Sequence, residues 1–178
     1  MNQLAIALSA ALSLGAAASA SAQDATINFT GNITAAGCTV NLEGEGATGS
    51  TVAMRTLSKA ALEREDPGLR TFKLVLGDGT STGCPGSRAE LDLVKDNVSK
   101  TTGALVNTST GADAAVGVEI ELQDKDGTAH NLSTDVLSAA RVGDKFTYEF
   151  RAIYKVTDKA NLKEGEFTSA LPFTISQL

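Results

Sequence analysis

Apolar and polar residues alternate with a period of two along much of this chain. That period is typical of a strand with one face buried and the other in water. Six segments show it clearly: residues 69–77, 89–94, 103–107, 115–123, 144–156 and 171–178. Turn-forming residues separate several of them, such as the Asp-Lys-Asp-Gly of residues 124–127. The pattern predicts one all-β domain, either a sandwich or a barrel.

One short helix is predicted within this pattern. Ser58 is a suitable N-cap for the Ala-rich stretch that follows, and Pro67 with Gly68 ends that stretch. We therefore predict one or two helical turns after Ser58. Residues 51–54, just before it, are predicted to form a short strand.

A further strand is predicted near the start of the chain, within residues 24–40. Ile27, Phe29 and Ile33 lie on one face of it, and Gly31 holds the remaining position of that face. Glycine weakens a strand, although it suits a place where the partner leaves no room for a side chain. From the residues alone, two interpretations stay open. The segment is a first strand of the same domain with Gly31 at a bulge, or a strand lent to another molecule.

Export from the cytoplasm is indicated by the first 22 residues, which carry no charge and end in Ala-Ser-Ala. Cleavage of this signal peptide before Gln23 leaves 156 of the 178 residues, the size of one domain. We expect no membrane span after cleavage, because no later stretch is apolar enough. The net charge of −6 argues against a nucleic-acid partner.

The two cysteines, Cys38 and Cys84, are expected to form a disulfide in an exported protein. Such a link restricts the unfolded chain by about 4 kcal/mol in the loop-entropy model. A metal site on two cysteines would need further ligands, and the chain has one histidine, His130. We therefore expect no metal and no cofactor.

No motif supports catalysis. Glu119 and Glu121 share a strand face that is expected to face water, which argues against a glycosidase pair. The residues from Asp124 resemble the start of a calcium loop, but Ala129 and Asp135 stand where that loop needs Gly and Glu. We predict that the chain is not an enzyme.

Three motifs, in their order and spacing, resemble the major pilin subunits of chaperone–usher fimbriae, the type 1 pilus family. The first is the Phe-x-Gly of residues 29–31, with Cys38 seven residues after the glycine. The second is the Gly-Val-x-Ile-x-Leu of residues 117–122. The third is the Phe-x-Ala-x-Tyr of residues 150–154, followed by Gly165 eight residues before Phe173.

The resemblance implies an all-β fold, an incomplete immunoglobulin-like Greek-key sandwich that lacks its final strand. In this family a donor strand from another subunit completes the sandwich, which is a known form of β-augmentation. The implied parts are a signal peptide (residues 1–22), a donor-strand extension (23–34) and a pilin domain (35–178). The residues of the donor strand that enter the neighbouring subunit would be Ile27, Phe29, Gly31 and Ile33.

The resemblance also implies partners, which are identical or related pilin subunits, a periplasmic chaperone and an outer-membrane usher. The chaperone would contact the last strand, whose groove-lining residues are Leu171, Phe173, Ile175 and Leu178. These subunits usually have a penultimate Tyr, whereas this chain has Gln177.

The implied function is that of a structural subunit that polymerises into a cell-surface pilus mediating adhesion, in the extracellular fimbrium. Two alternatives stay open. One is a minor fimbrial adaptor, and the other is a secreted β-sandwich that acts as a binding module or adhesin.

Overall fold

The computed structural model describes residues 25–28, 31–33, 38–64, 67–77 and 84–178. The predicted signal peptide and Phe29 lie outside these ranges. The described elements are twelve strands and one helix: β1 (Ala25–Asn28), β2 (Gly31–Ile33), β3 (Val40–Gly44), β4 (Ala47–Thr48), β5 (Thr51–Ala53), α1 (Lys59–Glu63), β6 (Arg70–Leu76), β7 (Arg88–Leu93), β8 (Val118–Asp124), β9 (Leu137–Val142), β10 (Lys145–Val156), β11 (Phe167–Ala170) and β12 (Phe173–Gln177).

The strands form two sheets around one cluster of buried apolar side chains. The first sheet has the order β11-β1-β5-β4. The second has the order β2-β12-β7-β9-β10-β6-β3, and β8 also pairs with β10. This is the all-β fold that the alternation predicts.

Strand β10 forms the centre of the second sheet, because it pairs with β6, β8 and β9. Its alternate residues Phe146, Tyr148, Phe150 and Ala152 are buried, as predicted from their spacing. The Tyr148 hydroxyl donates to the Ala89 carbonyl at 2.7 Å, and its burial raises the pKa of this phenol. The bond ties β10 to β7 through the interior.

Other local predictions are also confirmed. The Ser58 Oγ accepts a hydrogen bond from the Ala61 amide at 3.3 Å and so caps α1. Cys38 and Cys84 form a disulfide, with 4.9 Å between their Cα atoms. The disulfide fixes the residues just before β3 to those just before β7.

Two local predictions are wrong. Residues 103–107 form single bridges and no strand, with Leu105 paired to Ile120 on the edge of β8. Glu121 is buried and not solvated, because Lys155 Nζ donates to it at 2.6 Å and Gln123 at 2.9 Å. Burial raises the pKa of Glu121, but these two hydrogen bonds and the positive charge of Lys155 together outweigh it and hold the pKa below its ordinary value.

Leu122 of β8 offers a direct test of this core, because its side chain is fully buried. The variant Leu122→Ala should lose about 2–5 kcal/mol of unfolding free energy through lost burial and the cavity left behind. The control is Val142→Ala, where the side chain is 80% exposed; this variant should stay within about 0.5 kcal/mol. Denaturant unfolding followed by circular dichroism measures both, and equal losses would contradict the assigned core.

Candidate functional site

Strands β11 and β12 behave as one long strand that passes from the first sheet to the second. They are separated by Leu171 and Pro172. Alternate side chains along them are at most 2% exposed: Phe167, Ser169, Leu171, Phe173 and Ile175. Leu171, Phe173 and Ile175 therefore share one face, as the alternation predicts. We call the space beside β11 and β12 the strand groove.

The outer edge of β11, away from the groove, is bonded by a loop. Asn107 donates through Nδ2 to the carbonyls of Ala115 (3.0 Å) and Glu166 (2.8 Å), and its Oδ1 accepts from the Thr168 amide (2.9 Å). The Thr108 amide and hydroxyl both donate to the Thr168 carbonyl at 2.7 Å. Strand pairing at this edge is therefore replaced by loop and side-chain hydrogen bonds.

The inner edge of β11 is paired with β1. Strand β1 lies between β11, to which it is parallel, and β5, to which it is antiparallel. Ala25 is 2% exposed there, and Val52 of β5, opposite Ile27 in the register, is fully buried. Removing β1 would leave two strand edges unpaired and would expose this part of the core.

Strand β2 continues the same pairing along β12. Ala25 lies opposite Phe167 in the first sheet, and Ile33 lies opposite Ile175 in the second, with the same register offset. Within the described residues, β1–β11 and β2–β12 are the parallel ladders between strands; every other ladder is antiparallel. Strands β1 and β2 thus differ from the rest of the fold in the direction of their pairing with β11 and β12.

The predicted donor-strand positions map onto this groove by their register. Ile27 lies opposite Ser169, Gly31 opposite Phe173 and Ile33 opposite Ile175. Their partner here is the same chain. Whether they also pair with another copy stays a prediction.

The chain is similar to proteins of a known family. The model of the family described as "Fimbrial protein" matches residues 27–177, which include both strands of the groove. The chain belongs to the fimbrial protein family. It is a structural subunit of a pilus, and its place is in that extracellular fibre. No curated protein matches it by sequence.

Solved structures of pilus proteins resemble this fimbrial subunit. The P pilus rod subunit PapA matches with a TM-score of 0.50 and 16% identity, over 80% of this chain and 100% of PapA, which supports the pilin fold. A Burkholderia pseudomallei antigen and type I fimbria protein matches with 23% identity and a TM-score of 0.41, over 80% and 90% of the two chains. The CupB6 tip adhesin from Pseudomonas aeruginosa matches with 15% identity and a TM-score of 0.42. That match covers 60% of the subunit, which spans 33% of the adhesin.

The far end of β12 lies beside the disulfide. The side-chain amide of Gln177 donates to Cys38 Sγ. The amides of Ser87 (2.7 Å) and Arg88 (3.1 Å) donate to the Leu178 carbonyl, while the Leu178 side chain is 61% exposed. Leu178 therefore differs from Leu171, Phe173 and Ile175, which are buried against the core.

Metal sites and membrane-spanning helices are both absent from the described residues. In them, no group of three or more His, Cys, Asp or Glu side chains is placed to hold a metal ion. Among the same residues, no helix has the length and apolar character needed to cross a membrane.

Sequence reasoning missed Asn107 and Ser169. Asn107 begins an Asn-x-Ser/Thr triplet, and only its partners far along the chain reveal its role. Ser169 is a polar residue at a position where alternation favours an apolar one. A polar residue at an apolar position of a predicted strand is the one signal that could have marked it.

Asn107 should be important for the groove because it holds the outer edge of β11. The variant Asn107→Ala leaves the Thr168 amide and the Glu166 carbonyl without this partner and should cost about 1–3 kcal/mol of unfolding free energy. The matched control is Asn161→Ala; Asn161 is exposed, and among the described residues its side chain bonds only Asp158, within its own turn. Denaturant melts that show no difference between the two variants would contradict the role of Asn107.

Proposed function

We propose that this fimbrial subunit polymerises head to tail by donor-strand exchange. The extension of one copy (residues 23–34) fills the strand groove of the next copy. The observation that carries the proposal is the shared register offset of β1 along β11 and of β2 along β12. β1 and β2 pair with both strands of the groove, so the same residues of another copy have the same side chains to offer.

The intramolecular arrangement is forced to be parallel by the short link to Cys38. Residues 34–37 and their flanking bonds span at most about 18 Å. Cys38 lies beside Gln177, at the β12 end of the groove. A reversed segment would place Ile33 near Phe167, ten residues before Gln177 and roughly 30 Å from it along an extended strand. Within one chain the link is too short for that direction.

A donor from a neighbouring copy has the opposite requirement. In the parallel direction, the neighbour's Cys38 and its whole domain would compete for the space that this chain's own Cys38 and disulfide occupy. In the antiparallel direction, the neighbouring domain lies at the other end of the groove, beyond Phe167. Antiparallel pairing is also slightly more stable per residue. The exchanged strand therefore runs antiparallel to β11 and β12.

Such a contact joins two different surfaces, the donor extension of one copy and the groove of another. Contacts of this kind propagate into an open helical filament when the rotation does not close. The partners in the fibre are identical or related pilin subunits.

Before assembly the groove must be covered, because a bare strand edge above apolar side chains invites aggregation. We propose that a periplasmic chaperone supplies a temporary strand along β11 and β12, with Leu171, Phe173 and Ile175 beneath it and Leu178 at its end. An outer-membrane usher would then exchange that strand for the donor extension. Gln177 stands where the family usually has Tyr, and its side chain bonds Cys38 within the subunit.

Gly31 provides the test of the donor assignment. The variant Gly31→Leu, purified as a chaperone complex, should stay folded but fail to join fibres, since Leu would be pressed against the groove floor. The control is Asn32→Leu, because the next residue of a strand points to the opposite face; this variant should polymerise. Electron microscopy and sedimentation measure fibre formation. Fibres of Gly31→Leu at the wild-type rate would show that the donor face is assigned wrongly.

A further inference from the structure

A cavity of about 590 Å³ lies on the outer face of the second sheet, where β3, β6 and β10 run side by side. Its volume is within the range of small-molecule sites. Thr71, Lys73 and Arg151, at outward positions of β6 and β10, are among the residues that line it. None of its described lining residues belongs to β1, β2, β11 or β12. The cavity is therefore separate from the strand groove and does not depend on how that groove is filled.

The two lysines that line this cavity are already paired with carboxylates. Lys73 Nζ donates to Glu149, and this hydrogen bond, with the positive charge of Lys73, holds the pKa of Glu149 below its ordinary value. Lys125 Nζ lies 3.0 Å from Asp126 Oδ1. Neither lysine needs a ligand to balance its charge.

Arg151 differs from these lysines, because no carboxylate among the described residues forms an ion pair with it. Its Nε is buried and has no hydrogen-bond partner in that part of the chain. A Cβ on Gly127 would lie 3.0 Å from Arg151 Nη1, so the glycine of the hairpin turn leaves room for the guanidinium. Arg151 is thus held in place, and the Nη donors of its side chain are left for an anion.

The opposite wall of the cavity is acidic. Glu43 at the end of β3 and Glu45 just after it lie across β6 from Arg151. Glu45 Oε2 accepts from the Thr71 amide at 3.3 Å. A carboxylate can accept about four hydrogen bonds, so both glutamates keep free acceptor positions. A ligand that spans the cavity must bring hydrogen-bond donors to this wall and one anionic group to Arg151.

We propose that this cavity binds a sugar that carries a carboxylate. The carboxylate binds the Arg151 guanidinium, whose planar fork matches two carboxylate oxygens. The ring hydroxyls donate to Glu43 and Glu45. The C–H groups of the ring pack against Leu69 and against the apolar stem of Lys73, which also line the cavity.

Other classes of ligand fit this cavity worse. Phosphate and nucleic acid carry negative charge that the carboxylates of Glu43, Glu45 and Glu149 would repel. An apolar peptide side chain would find little aromatic surface, because Phe72 and Phe150 are buried. A polyhydroxy ring with a single carboxylate meets both walls of the cavity.

The cavity also has room for a longer carbohydrate. A second cavity, of about 350 Å³, continues from the first, because Lys125, Glu149 and Phe150 line both. Asp124 and His130 lie along this extension and offer further polar contacts. A fibre repeats the site in each subunit, which raises its avidity for a surface that carries many such sugars.

The experiment titrates the mature chain, in which β1 and β2 fill the strand groove, with glucuronic acid and with N-acetylneuraminic acid. At least one of them should cause saturable shifts of the amide resonances around Thr71 and Arg151 in nuclear magnetic resonance spectra. Glucose lacks the carboxylate and acetate lacks the ring, so each should bind about tenfold more weakly or worse.

The same titration contains the results that would overturn the proposal. If neither acid saturates these shifts, the cavity is not a site for acidic sugars. Glucose binding as tightly as the acids rejects the role of the carboxylate, and acetate binding as tightly rejects the role of the ring. Tighter binding of inorganic phosphate or of an acidic peptide assigns the site to another class of ligand.

Arg151→Gln should weaken the binding of the acidic sugar roughly tenfold to a hundredfold, because a charged hydrogen-bonded pair is lost. Arg151→Lys keeps the charge without the fork and should fall between this variant and the wild type. The matched control is Arg88→Gln, which removes an exposed arginine of β7 outside the cavity and should leave the affinity unchanged. Wild-type affinity of Arg151→Gln would contradict the proposal.

Glu43→Gln gives a second readout if Arg151→Gln fails to fold. Glu43 is exposed at the end of β3, so this variant should fold. Acetate serves as the reference, because it meets the same negative charge but brings no hydroxyls. The affinity for the acidic sugar relative to that for acetate should fall several-fold, since a neutral amide is a weaker acceptor than a carboxylate. An unchanged ratio would reject the acidic wall as the part that binds the sugar hydroxyls.

Discussion

The open edge of β11 and β12 is the constraint on which the rest of the structure depends. Five nearly inaccessible side chains lie along it, four of them apolar. The opposite edge is bonded by Asn107 and Thr108 along β11 and by β7 along β12. The inner side accepts hydrogen bonds and apolar contacts only from another strand. In this chain β1 and β2 pair with that side. In the proposed donor-strand exchange, a strand of another subunit takes this place.

The link between residues 33 and 38 decides in which direction the strand can lie. A tethered segment has a high effective concentration at its own groove, which favours filling from within. The tethered segment can then pair only in the parallel direction, whereas a segment of a neighbouring copy can pair in the slightly more stable antiparallel direction. If subunits polymerise by the proposed donor-strand exchange, self-filling and polymerisation compete for the same groove.

Much of the fold can be predicted from local patterns, because a half-buried strand has alternating apolar and polar residues. The alternation in β6, β10 and β12 and the Ser58 cap of α1 are of this kind. Contacts between residues far apart in the sequence leave no such local pattern. Glu121 was expected in water but lies buried beside Lys155 on another strand, and Leu105 bridges to Ile120 without forming a strand. Likewise, the alternation around Ile27 and Gly31 predicts a strand. It does not indicate whether the paired strand is parallel or antiparallel, or to which molecule that strand belongs.

The central claim is that the sandwich depends on a strand that can come from outside the domain. The most direct measurement is denaturant unfolding of a chain that begins at residue 35, with and without a synthetic peptide of residues 24–34. The account predicts that this chain aggregates or unfolds at low denaturant, that the peptide restores a cooperative transition, and that a peptide with Gly31→Leu does not. A chain from residue 35 that unfolds at the same midpoint as the mature chain, with no effect of the peptide, would contradict it.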